Sequence, residues 1–338
     1  QRLCRRAMEM SPLPAPLAAL AATAPGLFWP VVLVLSLVLL MRSADHFTEA
    51  AETVGRAARL GPFVVGVVIV AFGTSLPELV ASVLAVVRGA SEIVMGNVLG
   101  SNIANLGLVL GLGAIVAGRL EIRRHLGDLD LPLLAAATLL GTLVAIDGRV
   151  VRLESLLLLL ALAVYVHSGL AAHDDERPSA AAAAARGRAA VLRAVLVLVV
   201  SGAVIWLAAE GTVRAVVEIA ARFAVPTEAI AATAVAIGTS LPEVAVTLAA
   251  ARRGRAEMAV GNIIGSNVFN LLAVAGVAGL VGPLAVPASL VELALPTMAG
   301  ITVVAMIMLA TRVVTRAEGW FLIVTYGWFL AAVLGLAS

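Results

Sequence analysis

Ten stretches of this 338-residue chain are apolar over about the length a helix needs to cross a bilayer, and that limits the fold more than any single residue does. They are residues 28–41 with a polar continuation, 64–87, 93–117, 129–146, 153–170, 191–209, 230–250, 258–281, 290–309 and 320–337. Hydrophobic residues make up 62% of the chain and charged residues 13%, about half the charged share of a soluble domain. The connections are mostly short and leave no room for a soluble domain. An all-α polytopic membrane protein is expected, with about ten transmembrane helices and the lipid bilayer as its main solvent.

The net charge is +2, and all of the positive side chains are arginines. They fall in loops between apolar runs, so the basic balance marks membrane topology and excludes a nucleic-acid partner. If the N-terminus lies outside, the inner loops hold Arg42, Arg56, Arg59, Arg119, Arg123, Arg124, Arg177, Arg186, Arg188, Arg193, Arg252, Arg253, Arg255, Arg312 and Arg316. The outer loops then hold only Arg88, Arg149, Arg152, Arg214 and Arg222, with Arg2, Arg5 and Arg6 in the N-terminal tail. Positive charge collects on the cytoplasmic side, which predicts that both termini face outward. The single cysteine, Cys4, excludes an intrachain disulfide and a thiolate metal cluster. Residues 1–26, with a basic start and several prolines, are expected to be a disordered N-terminal extension rather than a signal-like segment.

The stretch AFGTSLPELV at residues 71–80 returns as AIGTSLPEVA at residues 236–245. A shift of 165 residues places Glu243 on Glu78 and, without a gap, also places Gly261-Asn262 on Gly96-Asn97, Gly265-Ser266-Asn267 on Gly100-Ser101-Asn102, and Asn270 on Asn105. Each half holds five spans. An odd number makes the second half enter the membrane from the opposite face, which gives an inverted-topology repeat with a site near the midplane. The expected organisation is residues 27–170 as the first five-helix repeat, 171–190 as a solvated cytoplasmic linker and 191–338 as the second repeat.

A proline and a glutamate inside each apolar run need a reason. Proline has no N–H, so Pro77 leaves the Gly73 carbonyl without its helical partner, and Pro242 does the same to Gly238. Each is expected to strain or break its helix and to expose carbonyl oxygens beside a protein-lined cavity. Glu78 and Glu243 lie one turn beyond Thr74 and Thr239, on the same face as the freed carbonyls. A charge at the bilayer centre costs about 2.5 to 3.5 kcal/mol, and meeting that cost at two equivalent positions argues for a bound counter-charge. Ser101 with Asn105, and Ser266 with Asn270, stand four apart and supply further oxygens. Gly96 with Gly100, and Gly261 with Gly265, have the spacing that lets helices approach closely. Carboxylates, carbonyls, hydroxyls and amides form a hard-oxygen set suited to Ca²⁺ or Na⁺ rather than Zn²⁺ or Cu⁺.

These duplicated motifs, Gly73-Thr74-Ser75-Leu76-Pro77-Glu78 with Gly96 through Asn105 and their copies at 238–243 and 261–270, resemble the two α-repeats of the cation/Ca²⁺ exchanger superfamily. The resemblance extends from about residue 28 to the C-terminus and implies a Na⁺/Ca²⁺ antiporter with Ca²⁺ and Na⁺ as transported ligands and no cofactor. By matching positions, Glu78, Glu243 and the carbonyls of Thr74 and Thr239 hold Ca²⁺. Ser75, Ser101, Asn105, Ser240, Ser266 and Asn270 complete Na⁺ or water-mediated sites, assisted by the carbonyls of Ala71 and Ala236. The first and sixth spans slide against this core to alternate access, and Asp45, Glu49, Glu52, Glu210 and Glu218 line helix ends or vestibules. Relatives that need K⁺ carry Asp at the position of Asn270, so a K⁺-independent cycle is implied. The short linker, with no regulatory domain between the repeats, implies a prokaryotic exchanger in the cytoplasmic (inner) membrane, with no obligatory protein partner.

The alternative is an H⁺/Ca²⁺ antiporter in which the two glutamates take up protons when Ca²⁺ leaves. An intramembrane hydrolase using Ser75 or Ser240 fits poorly: catalysis needs one asymmetric constellation, and none of the four histidines is duplicated with the serines. A channel accounts for the acids but gives no reason for inverted halves.

Overall fold

A computed structural model describes residues 25–171, 188–222 and 240–335. The expectations for the N-terminal extension and for the body of the linker lie outside the described residues. Ten helices run through what is described: α1 (Pro25–Ala57), α2 (Pro62–Val87), α3 (Glu92–Ala117), α4 (Asp130–Ala145) and α5 (Arg152–Ala171) in the first half. The second half has α6 (Arg188–Arg222), α7 (Leu241–Arg252), α8 (Ala256–Val281), α9 (Leu290–Ala310) and α10 (Arg316–Val333). Seven of them are long and apolar enough to span a membrane, and α4 is apolar but shorter.

The duplication holds at the level of local geometry. Both α3 and α8 widen into a π-helical segment at their repeated asparagine, Asn105–Val109 in one and Asn270–Val274 in the other, 165 residues apart. In each, the residue after the segment (Leu110, Ala275) donates its N–H to the asparagine carbonyl five residues back. Such π turns inside α-helices often sit at functional positions.

Two short strand pairs join the halves. Strand β1 (Arg119–Glu121) follows α3, and β2 (Arg149–Val150) follows α4. Strands β3 (Leu284–Ala285) and β4 (Val313–Thr315) follow α8 and α9. β1 pairs antiparallel with β4, placing Leu120 opposite Val314, and β2 pairs with β3, placing Val150 opposite Leu284. Exchanging the halves turns one pairing into the other. The α3–α4 and α9–α10 loops therefore share one face, which is rich in arginine, and the α4–α5 and α8–α9 loops share the opposite one. Thr315 ends β4 and also caps α10: the Glu318 N–H donates to Thr315 Oγ1 at 3.3 Å, and the Thr315 N–H donates to Glu318 Oε2 at 2.7 Å. Thr315→Ala removes this cap, and a loss of about 1 kcal/mol is expected, readable as a lower Tm of the purified protein.

The largest core is built from α2 to α5 and α8 to α10, with Leu99, Leu106, Leu134, Leu158, Ile263, Leu271 and Phe329 among its members. α1 and α6 pack along each other outside it. Their contact with α2, α7 and α8 is a separate cluster rich in alanine, with Ala44, Ala51, Ala208, Ala209, Ala245, Ala249, Ala250 and Ala259 beside Leu40, Val65, Val70, Ile205, Val246, Met258 and the ring of Phe47. Interlocking large side chains would pin these helices in one register, whereas an alanine surface resists sliding far less. The outer faces of α1 and α6 show Leu35, Val38, Leu196 and Val199 to the surroundings, as lipid-facing helices do.

At 33 residues, α1 is about 50 Å long and overshoots a hydrocarbon core of about 30 Å. The overshoot carries Asp45, Glu49 and Glu52, and the tight turn between α7 and α8 clamps them. Arg253 Nη1 lies 2.7 Å from Glu49 Oε1, Arg253 Nε lies 3.4 Å from Asp45 Oδ1, and Arg255 pairs with Glu52. Gly254, between the two arginines, takes φ +69°, which favours glycine there. The expected placement of these three acids at a helix end is what the structure has; their arginine partners were not foreseen.

Candidate functional site

Glu78 and Glu243 come from opposite halves and are both deeply buried, at 2% and 1% exposure. The Ser75 hydroxyl donates across the halves to Glu243 Oε1 at 3.1 Å. The other expected site residues among those described, Thr74, Ser75, Ser101, Asn105, Ser240, Ser266 and Asn270, are all buried as well. Several of their polar atoms have no partner among the described residues: both carboxylate oxygens of Glu78, Oε2 of Glu243, the hydroxyls of Ser240 and Ser266, and the side-chain amides of Asn105 and Asn270. Buried polar groups normally find partners, so such a concentration of unmet oxygens is the pattern of a site that binds something. The donors are oxygen throughout, as a hard cation requires. Ala236 and Thr239, expected at the same site, lie outside the described residues.

The local backbone differs from expectation in one respect. Pro77 was expected to strain or break its helix, yet Ala71–Val87 continues as α-helix with Pro77 inside it. The irregularity comes earlier, as a π-helical segment at Val65–Val70, where the Ala71 N–H reaches back to the Gly66 carbonyl. A π turn is itself a displacement of backbone hydrogen bonds, so the distortion lies about two turns upstream of the proline. The Ala71 carbonyl is close to the Thr74 hydroxyl, at 3.3 Å. In the second half, α7 starts at Leu241 with Pro242 in its first turn, where a missing N–H costs nothing. Glu243 thus sits in the first turn of α7, where the helix dipole favours an anion.

Close helix approach is seen at two of the four glycines expected to provide it. A Cβ on Gly265 would come within 2.8 Å of the Val67 Cα and the Ala71 Cβ, and the Cα atoms of Gly66 and Gly261 also face each other where α2 crosses α8. Among the described residues, a Cβ on Gly96 would meet only Leu290, at 3.7 Å, and one on Gly100 would meet nothing within 4 Å. The positions equivalent to Val67 and Ala71 in the other half are residues 232 and 236, which lie outside the described residues.

Phe47 of α1 packs on the site from the side. A Cβ added at Gly73, the first residue of the motif, would lie 2.9 Å from its ring, and one at Gly202 of α6 would lie 3.3 Å from it. A crevice of about 390 Å³ between α2, α5 and α8 is lined by Phe63, Val67, Phe72, Leu162, Tyr165 and Phe269. Its walls are mostly apolar, and the one carboxylate on them, Asp130, is paired with Arg124 at 2.9 Å.

Six further buried residues belong to the polar layer and received no role from sequence. Asn262 bridges the halves: the Thr74 hydroxyl lies 3.4 Å from its Oδ1, and its Nδ2 donates to Thr247 Oγ1 at 2.9 Å. Asn97 and Ser82 are their counterparts under the 165-residue shift. Asn102 and Asn267, each other's counterparts, meet directly, with Asn267 Nδ2 3.5 Å from the Asn102 carbonyl. The signal was present: Ser82 and Thr247 are hydroxyl residues four beyond the two glutamates and in register with each other.

Comparison with known proteins agrees with this architecture. The profile of the family described as sodium/calcium exchanger protein matches residues 28–168 and 193–335. The sodium/calcium exchanger MaX1 of Methanosarcina acetivorans is 31% identical over 339 aligned residues, covering 89% of this chain and 97% of that one. The inner membrane protein YrbG of Escherichia coli K12 is 33% identical over 259 residues, covering 75% of this chain and 79% of YrbG. The structure of the sodium-calcium exchanger NCX_Mj, soaked with 10 mM Na⁺ and zero Ca²⁺, superposes with a TM-score of 0.79 at 27% identity, covering 90% of this chain and 98% of that one. With both repeats matched, and with the buried carboxylate pair shared between them, the chain belongs to the sodium/calcium exchanger family of membrane antiporters.

Proposed function

We propose that the chain exchanges Na⁺ for Ca²⁺ across a prokaryotic cytoplasmic membrane by alternating access, without a need for K⁺. The observation that carries this reading is the pair Glu78 and Glu243, drawn from opposite repeats and buried together among unpartnered oxygens. Two carboxylates balance one Ca²⁺, and the neutral hydroxyls and amides offer places for several Na⁺ in its stead. Glu78, Glu243, Thr74, Ser75, Ser101, Asn105, Ser240, Ser266 and Asn270 are the proposed ligands, with the carbonyl of Ala71 and, in the undescribed stretch, Ala236 and Thr239. The helix pair α1 and α6 slides on its alanine-rich contact to expose the site first at one face and then at the other. The arginine-rich face is cytoplasmic by the charge rule, which puts both termini outside. The names of MaX1 and NCX_Mj support the sodium assignment.

Proton coupling is the competing reading, since a buried carboxyl can be neutralised by a proton as well as by a metal ion. Uptake of Ca²⁺ into proteoliposomes separates the two. Na⁺-loaded vesicles are compared with choline-loaded ones, with K⁺ absent and a protonophore present. Uptake that needs internal Na⁺ is the expected result. Uptake indifferent to Na⁺ but driven by an imposed pH gradient would assign the coupling to protons.

A further inference from the structure

The two halves are alike in sequence around the site, yet their hydrogen bonds differ. Three contacts engage second-half residues: Ser75 with Glu243 at 3.1 Å, Asn262 with Thr247 at 2.9 Å, and the weaker approach of Thr74 to Asn262 at 3.4 Å. Exchange of the halves turns the first two into Ser240 with Glu78 and Asn97 with Ser82. Among the described residues neither Ser240 Oγ nor either carboxylate oxygen of Glu78 has a partner, and the same holds for Asn97 Oδ1 and Ser82 Oγ. All four residues are buried. So for both of these bonds the mirror-image bond is unmade, and its groups are held out of water at a cost.

The bonded pair and the unbonded pair lie toward different faces. Thr247 and Asn262 are five and six residues from the ends of α7 and α8 at the arginine-rich face. Ser82 and Asn97 are each five residues from the ends of α2 and α3 at the opposite face. The arginine-rich face is also where Arg253 and Arg255 clamp α1. Two separate features thus tie down the same side of the molecule.

We infer that Asn262–Thr247 and Asn97–Ser82 are a pair of positioning bonds that alternate: the first forms when the arginine-rich face is closed, and the second forms in its place when the opposite face is closed. The inference rests on the alternating-access reading above. Near-identical local sequence lets each half adopt the arrangement the other has here, and the polar groups orphaned in one state are satisfied in the next. Neither pair is assigned to the cation. Asn262 acts by holding Thr74 in place across the halves.

The test uses the opposite signs this predicts. Thr247→Val removes the bond of the state described here, and Ser82→Ala removes the bond of the other. The half-saturating Ca²⁺ concentration is measured separately in right-side-out and inside-out membrane vesicles. A binding-competent state of altered population changes the apparent affinity in proportion, so a bond of ordinary strength predicts shifts of about two- to tenfold. Each variant should shift the ratio between the two faces, the two variants in opposite directions, and the double variant should return it toward the starting value. Asn262→Ser should follow Thr247→Val, and Asn97→Ser should follow Ser82→Ala, so a variant that fails to reach the membrane has a substitute. Shifts of the same sign, or an unchanged ratio in all variants, would overturn the alternation. An unmodified chain that moves no Ca²⁺ under either gradient would overturn the exchanger reading instead, so the two failures are distinct.

Discussion

Replacement of Glu78 or of Glu243 by glutamine is expected to reduce Ca²⁺ transport by about a hundredfold or more at sub-millimolar Ca²⁺. Glutamine keeps the size and one oxygen of the side chain and removes the charge. A unit charge 4 Å from another is worth on the order of 4 kcal/mol at an effective dielectric constant of 20, and Ca²⁺ carries two. The carboxylates lie at 2% and 1% exposure, so solvent screens them little. Glu78→Gln and Glu243→Gln should differ in one respect. Glu243 accepts the Ser75 hydroxyl, whereas neither oxygen of Glu78 has a partner among the described residues. Glu243→Gln retains an oxygen for Ser75, whereas removing a partnerless buried charge at Glu78 relieves an unpaid desolvation cost. The Glu78 variant should therefore be the more thermostable of the two while both lose transport. Isotope uptake and thermal unfolding of the purified variants check both parts, and full Ca²⁺ transport by either variant sinks the site assignment.

The second large effect falls on folding. Gly265→Val places a branched side chain where even a Cβ would sit 2.8 Å from the Val67 Cα and the Ala71 Cβ. Backbone cannot rotate aside as a side-chain tip can, so α2 and α8 must separate. Overpacking of this kind costs about 1 to 3 kcal/mol and occasionally more, and here it also displaces the helix that carries Glu78. A sharply lower Tm and loss of transport are expected together. An unchanged Tm with retained transport in Gly265→Val would mean that the α2–α8 crossing is not the constraint it is taken for here.

Much of the architecture is legible in the sequence because lipid simplifies the problem. Every backbone polar group must be satisfied inside its own span, so long apolar runs read directly as helices. The duplicated glutamates stand out because ionisable groups are costly at that depth. What sequence does not reveal depends on contacts between distant parts. Nothing in Asn105-Leu106-Gly107 announces a π turn in place of an α turn. The β1·β4 and β2·β3 pairings join segments almost 200 and about 135 residues apart, each too short to show a strand period. Arg253 looks like an ordinary loop arginine until folding brings it against Glu49. The proline misled for a related reason: it guarantees a missing donor, but neighbouring turns decide where the backbone gives way, and here that place is Val65–Val70. Two equivalent motifs also conceal which of them is hydrogen-bonded in a given conformation.

The short strand pairs have a consequence for how such a chain can be divided. Each face of the molecule is fastened by a ribbon with one strand from each half, and the helices beneath are packed into a common core. The covalent connection between the halves is therefore not what keeps them together. Two separate five-helix polypeptides, made from the same membrane at the same time, have the means to find each other through these ribbons. A gene cut within the linker should still specify one molecule, much as a single ancestral half could have begun as a pair of identical chains inserted in opposite senses.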